Sequence, residues 1–361
     1  FEQFLLKPLL PGYRAFHQDF EDLFNSYYQS VGRMHERPQR GLLTRPTVAE
    51  VLQYREHVDE HMQKLFRVRP EDERLLSISA LGMNHEQQHQ ELMLTDIKHL
   101  FSRNPLLPAY RPGRDEANDA AAPLHFISFD GGIREIGASG KHFCFDNELP
   151  RHRTLVEPYA LADRLVTNGE YLEFIRDGGY RRPEFWLSDG WSTVQREGWT
   201  RPIYWMESLD REFTLHGLQP LRTAAPACHI SFYEADAFAR WAGARLPSEA
   251  EWELAAESLP VIGNLLSSGA LHPTAGGVQP GMKQMFGDVW EWTASPYVAY
   301  PGYQPPSGAL GEYNGKFMCN QLVLRGGSCI TPADHIRASC RNFFYADARW
   351  QFMGVRLARN L

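Results

Sequence analysis

The chain changes its hydrophobic period once, and that change restricts it to folds made of two unlike parts. Up to about residue 104 apolar residues return every three or four positions, whereas beyond residue 123 they come in short runs broken by Gly, Pro, Asn and Asp. The first pattern lays side chains along one stripe of a helix; the second belongs to short strands and loops. Phe16, Phe20, Leu23, Phe24, Tyr27, Tyr28 and Val31 predict an amphipathic helix over 13–31. Another is predicted from Thr47, which stands at capping-box spacing from Glu50, through Val58, Met62 and Leu65 to Val68. A long helix over 71–102 follows and stops at Asn104-Pro105. Helices joined by short loops form a bundle.

From Pro105 to Pro123 the sequence is rich in Pro, then Arg and Asp, then Ala, with no apolar period. We place a linker at 113–124, between an all-α part at 1–112 and an α+β part at 125–361. The second part carries predicted helices over 168–176 and 231–242, and a third from Ser248, again at capping-box spacing from Glu251. Two domains suit a length of 361 residues, and 43% hydrophobic residues supply their cores.

A net charge of -7 and the lack of any long Lys/Arg run argue against a nucleic-acid partner. The five cysteines are odd in number and never spaced C-x-x-C, which points to a reducing cytoplasm and to neither a disulfide framework nor a thiolate zinc site. No run approaches the roughly 18 apolar residues of a membrane helix, so no membrane partner is expected. The chain opens at Phe1, without Met and within helical texture, so further residues are expected upstream.

Asn84-His85-Glu86-Gln87-Gln88-His89-Gln90-Glu91 is the sharpest chemical signal. Residues four apart on a helix project side by side, so His85 and His89 are candidate metal ligands. His57 and His61 have the same spacing but lie among Glu56, Asp59 and Glu60, and are expected to be mostly exposed. The octapeptide also fits H-E-x-x-H, in which Glu86 would be the general base of a zinc hydrolase. The extended form of that motif is excluded, because Leu92 stands three residues past His89 and no third His follows; the short form would draw a ligand such as Glu116 from the linker.

The second part resembles the formylglycine-generating-enzyme fold, a C-type-lectin-like α+β domain. The resemblance rests on Val166-Thr167-Asn168-Gly169-Glu170-Tyr171, on residues 244–253 (ARLPSEAEWE), on Gly287-Asp288-Val289-Trp290-Glu291-Trp292-Thr293, on Leu324-Arg325-Gly326-Gly327-Ser328 and on Gly354-Val355-Arg356-Leu357-Ala358. Trp252, Trp290 and Trp292 read as core aromatics, and Arg325 and Arg356 as internal ion-pair partners. Cys340 is the only cysteine after Cys329, which argues against the two-cysteine copper site of the formylglycine-generating enzymes themselves. An upstream DinB-like helical bundle carrying H-x-x-x-H-x-E, matched here by His85, His89 and Glu91, is similar to the ergothioneine-type (hercynine) and ovothiol-type sulfoxide synthases.

That resemblance implies a non-haem Fe(II) enzyme that uses O2 to join the sulfur of cysteine or γ-glutamylcysteine to N-α-trimethylhistidine, in a cleft between bundle and second domain. Iron would be held by three histidines, of which the third is expected upstream of Phe1. Three imidazoles leave about half of an octahedral site open for substrates and O2. Gln88 would face the substrate imidazole. Arg33, Arg37 and Arg40 would bind the thiol's carboxylates, a role suited to the guanidinium fork. Residues 341–345 would form a C-terminal loop in which Asn342 binds polar groups while Phe343 and Phe344 shape the pocket. Relatives that use γ-glutamylcysteine often carry Asp where Phe344 stands, which leaves both thiol donors open. Tyr27, Tyr28 and Tyr313 are the candidate proton donors, with Tyr27 and Tyr28 placed on the 13–31 helix. An ovothiol-type enzyme acting on unmethylated histidine, the zinc hydrolase and a lectin-like binding module are the alternatives, since a fold does not fix a function.

Overall fold

The computed structural model describes residues 1–25, 28–113, 121–277 and 279–361, and at Arg37 and Pro38 the backbone alone. Tyr27, Glu116 and the Arg37 side chain therefore lie outside the described residues. Contacts divide the chain into two units: Phe1–Glu86 with Lys141–Asp146 and Tyr303–Lys316, and Gln87–Gly140 with Asn147–Gly302 and Phe317–Leu361. The change of element type expected at 113–124 is thus not where the contacts divide, because the division falls inside one long helix.

In the first unit, helical segments Glu2–Leu6 and Lys7–Leu9 are followed by α1 (Phe20–Phe24), a 3-10 turn at Arg37–Leu42, α2 (Val48–Val68) and the first half of α3 (Glu73–Ser102). Leu5, Leu6, Leu9, Leu10, Val58, Met62, Leu65 and Leu75 form its core. α2 starts where the sequence predicts, with Thr47 and Glu50 closing the capping box. The helix predicted over 13–31 shrinks to α1. Its aromatic residues still cluster, with Phe16, Phe20 and Phe24 each within 5.2–5.8 Å of Tyr54. Asn25 stops the helix, since its side chain accepts from the Tyr28 amide at 3.0 Å and donates to the Tyr28 carbonyl at 2.8 Å. Such side-chain bonds offer the backbone a turn in place of a helix. Tyr28 consequently stands in that turn and not on a helix.

His57 and His61 are half-buried, contrary to expectation. The 13–17 segment folds over α2, so that Tyr13 stands 5.7 Å from His57 and 5.1 Å from His61, and the Arg14 carbonyl lies 3.1 Å from His57 Nε2.

The second unit is α+β. A three-stranded sheet has the order β1 (Phe126–Phe129), β4 (Tyr159–Ala162), β11 (Ala358–Asn360), and a four-stranded sheet the order β10 (Met353–Gly354), β7 (Trp290–Pro296), β8 (Gln321–Arg325), β9 (Asn342–Tyr345). Hairpins β2 (Gly132–Ile136)–β3 (His152–Val156) and β5 (Arg211–Thr214)–β6 (Gly217–Pro220) flank them. The helices are α4 (Asn168–Arg176), α5 (Ser188–Glu197), α6 (Phe232–Trp241) and α7 (Glu249–Ala256). α4, α6 and α7 each start in a capping box, formed by Thr167 with Glu170, Ser231 with Glu234 and Ser248 with Glu251.

Trp252, Trp290 and Trp292 are buried in the main core. Arg356 pairs with Glu291 at 2.7 Å, while Arg325 pairs with Glu249 at 2.9 Å and Glu253 at 3.0 Å, all of them buried. After β8 the chain turns through Gly326 at φ +97°, where a Cβ would sit 2.8 Å from the Met285 carbonyl oxygen; only glycine fits. The second half of α3 packs Leu94 and Ile97 on Leu165, Leu271, Ile330 and Phe352. Residues 342–345, expected in a loop, form β9, paired to β8 through Val323↔Phe343 and Leu322↔Phe344.

Candidate metal and substrate site

α3 runs unbroken through the histidine motif, so His85 and His89 share one helical face. His85 is half-buried and His89 exposed. The flanking carboxylates are engaged elsewhere. Glu86 pairs with Arg55 at 3.0 Å. Glu91 is buried and accepts from Trp290 Nε1 at 2.7 Å, the Thr331 hydroxyl at 2.9 Å and the Ser328 hydroxyl at 3.0 Å. Burial pushes its carboxyl pKa up, against the pull of these hydrogen bonds. The donor set left on this face is imidazole, which suits iron(II) as well as zinc. Among the described residues no group of three or more His, Cys, Asp or Glu is arranged to hold a metal ion.

In the first unit, the Tyr313 ring stands edge-on to the His85 ring, with centroids 5.4 Å apart and planes at 83°. Phe145 stacks on Tyr313 with ring centroids 5.9 Å apart. Glu312, the residue before it, accepts from the amides of Gln29 at 3.1 Å and Ser30 at 3.0 Å, and from the Ser30 hydroxyl. The Ser30 hydroxyl and amide hold the Glu312 carboxyl down at about 2. Burial, reinforced by the Glu312 charge, pushes the Tyr28 phenol up to about 12, so Tyr28 keeps its proton at neutral pH. Arg33 is exposed, and Arg40 donates to the His35 carbonyl at 3.2 and 3.3 Å.

In the second unit, Gln88 is half-buried on α3, and its neighbour Gln87 donates to Asp334 at 2.9 Å and lies 3.3 Å from His335 Nδ1. His335 is buried and held neutral: burial, followed by the Arg337 charge, brings its pKa down to about 4. Alternation along β9 separates the two phenylalanines. Phe343 stacks on Tyr297 at 4.0 Å, whereas Phe344 packs on the main core and against Trp350 at 5.2 Å. Asn342 is half-buried, and its side-chain oxygen accepts from the Phe343 amide at 2.9 Å. The structure thus brings Tyr313 to His85 and sets Tyr28 beside Glu312. Glu312, Gln87 and His335 carried no local signal, because their partners lie hundreds of residues away in the chain.

Residues 114–261 and 269–361 match the sulfatase-modifying factor enzyme 1-like domain, so the β-rich part of the chain is of that class. A hercynine oxygenase of Mycolicibacterium thermoresistibile is 35% identical over 309 residues, covering 77% of this chain and 68% of its own length. One of Mycobacterium tuberculosis is 33% identical over 304 residues, with 78% and 71% covered. Ergothioneine biosynthesis protein 1 of Schizosaccharomyces pombe is 27% identical over 61% of this chain and 28% of its own length. This chain belongs to the hercynine oxygenase family. Among the described residues no helix is long and apolar enough to cross a membrane.

Proposed function

We propose that this chain is an oxygenase of ergothioneine biosynthesis, coupling the sulfur of cysteine or γ-glutamylcysteine to the imidazole of N-α-trimethylhistidine with O2 and Fe(II). The observation that carries the reading is a pair of helical imidazoles with a phenol at its edge: His85 and His89 on α3, and Tyr313 against His85. Family membership supports the substrate class.

The overall reaction balances as thiol plus imidazole C–H plus O2 giving an imidazolyl sulfoxide plus water. One oxygen atom goes to sulfur, and the other takes the hydrogens released from S–H and C–H. Iron(II), held by His85, His89 and a further donor, would supply the open positions where thiolate, imidazole and O2 meet. The chain's own residues would then bind, orient and move protons. Gln88 lies between the two ligands on α3 and would hydrogen-bond the substrate imidazole. Arg33, Arg37 and Arg40 are the candidates for the thiol's carboxylates, and Asn342 for further polar groups of the substrates. Phe343 offers an aromatic edge beside Tyr297, while Phe344 would act only by fixing β9 on the core. Tyr313 would deliver the proton to the departing oxygen, with Tyr28, a phenol held protonated, as the other donor.

The test is reconstitution of the full-length protein with Fe(II), O2, trimethylhistidine and either thiol, followed by mass spectrometry. A coupled sulfoxide establishes the reaction and selects the thiol donor. Product from unmethylated histidine alone would make the enzyme ovothiol-type, and no product from any pair despite iron occupancy refutes the proposal.

A further inference from the structure

We infer that Glu312 is a positioning residue, a carboxylate latch that holds Tyr313 against His85. The inference rests on the proposed role of Tyr313. Tyr313 lies between two short 3-10 segments, Gly308–Glu312 and Gly315–Phe317, which have no ladder or long helix to fix a side chain. The side chains on either side of it supply what the backbone does not. Before it, Glu312 receives the Gln29 and Ser30 amides and the Ser30 hydroxyl, with Lys316 Nζ at 3.4 Å. After it, Asn314 donates to Asp146 at 2.5 Å, and the Tyr303 hydroxyl donates to the other oxygen of the same carboxylate at 2.8 Å. Phe145, next to Asp146, lies along the Tyr313 ring.

The two anchors differ in kind. Asp146 closes the 303–314 segment on 141–146, whereas Glu312 ties it to the turn that follows α1. Tyr28 immediately precedes the Gln29 and Ser30 amides, so one carboxylate bears on the placement of both Tyr28 and Tyr313. The Gln29 and Ser30 amides point together at one anion, and hydrogen bonds to a charged acceptor are about twice as strong as neutral ones. Glu312 is no ligand and no proton donor here; it acts through the placement of its neighbour. A phenol displaced by about 1 Å from its working position can lose roughly 100-fold in rate, which sets the scale of the expected effect.

The test uses the full-length protein with Glu312→Ala, Glu312→Gln, Tyr313→Phe and Glu312→Ala/Tyr313→Phe. Glu312→Ala should lower kcat by roughly 10-fold to 100-fold with KM for either substrate little changed. Glu312→Gln, which still accepts from Ser30, should recover part of that loss. In the Tyr313→Phe background, Glu312→Ala should cost no further rate. Hydrogen–deuterium exchange over 303–316 should rise in Glu312→Ala, whatever the activity. Unchanged exchange there, a Tyr313→Phe variant as active as the parent, or a double variant showing both losses in full would each overturn the inference. Absence of coupled product from the parent protein would instead refute the proposed function, while the exchange data would still decide whether the latch exists.

Discussion

Glu91 provides the sharpest test of how α3 is seated in the second unit. Its carboxylate is the common acceptor for Trp290 Nε1, Thr331 and Ser328, and no cationic side chain lies within ion-pair distance among the described residues. In Glu91→Ala the indole N–H loses its acceptor in a buried setting, at about 1–3 kcal/mol. The two hydroxyls lie 3.2 Å apart and can bond each other, so they add little. The vacated volume costs about 1–2 kcal/mol more. Relief of a buried charge offsets part of this, leaving a loss of about 3 kcal/mol, or roughly 6–12 °C in the midpoint for a unit of this size. Glu91→Gln keeps the acceptor for Trp290 and turns its amide toward hydroxyls that can accept, so it should lose no more than about 1 kcal/mol. Urea and thermal unfolding followed by tryptophan fluorescence would read both. A Gln variant as unstable as the Ala variant would show that charge, and not hydrogen bonding, seats the helix; an Ala loss under about 1 kcal/mol would refute the accounting altogether.

His85→Ala and His89→Ala should each abolish stoichiometric iron binding, measured by metal analysis after gel filtration, with unfolding midpoints near the parent's. Tyr313→Phe retains the ring that packs on His85, so it should leave stability unchanged while lowering coupling by roughly 100-fold or more, in a single-turnover assay. His335 has its folded pKa near 4 against an ordinary 6.5, so it favours folding above pH 6.5 and loses that contribution as pH falls toward 4. The full effect is at most about 3 kcal/mol, and the pH dependence of stability over that window should be flatter in His335→Gln. Glu249→Ala leaves both Arg325 and Arg341 without their shared carboxylate in the core and should cost about 3–5 kcal/mol, if the variant folds at all.

What the sequence made legible was what neighbours in the chain decide. Thr47 and Glu50, and Ser248 and Glu251, each lie within one helical turn, so these helix starts are legible in the sequence and stand where it places them. Arg325 and Arg356 could be assigned to buried ion pairs because motif resemblance carried their surroundings with it. The 13–31 helix failed for a local reason that periodicity does not register: one asparagine bonded its own turn, and an aromatic stripe packs on Tyr54 whether or not the backbone between its members is helical. The 341–345 segment failed differently, because a strand of four residues leaves no periodic trace, and only pairing with β8 across the intervening residues 326–341 makes it one.

The candidate site divides along the same line. His85 and His89 are a local pattern and were visible as such, but whether a phenol stands beside them depends on a contact between residue 85 and residue 313, closed by a hydrogen bond from Ser30 to Glu312. Glu312, in a stretch of Gly, Glu, Tyr, Asn and Lys, has nothing in its own neighbourhood to mark it as more than a solvated charge. Its meaning comes from the Gln29 and Ser30 amides, which follow Asn25 and Tyr28 in the chain and both donate to it. The element that the periodicity misread is therefore the one that creates the anchor for the proposed catalytic phenol. Replacing Asn25 with alanine, which removes its side-chain bonds to the Tyr28 backbone, should weaken the hold on Tyr313 from the opposite side, with the same rise in exchange over 303–316 as Glu312→Ala.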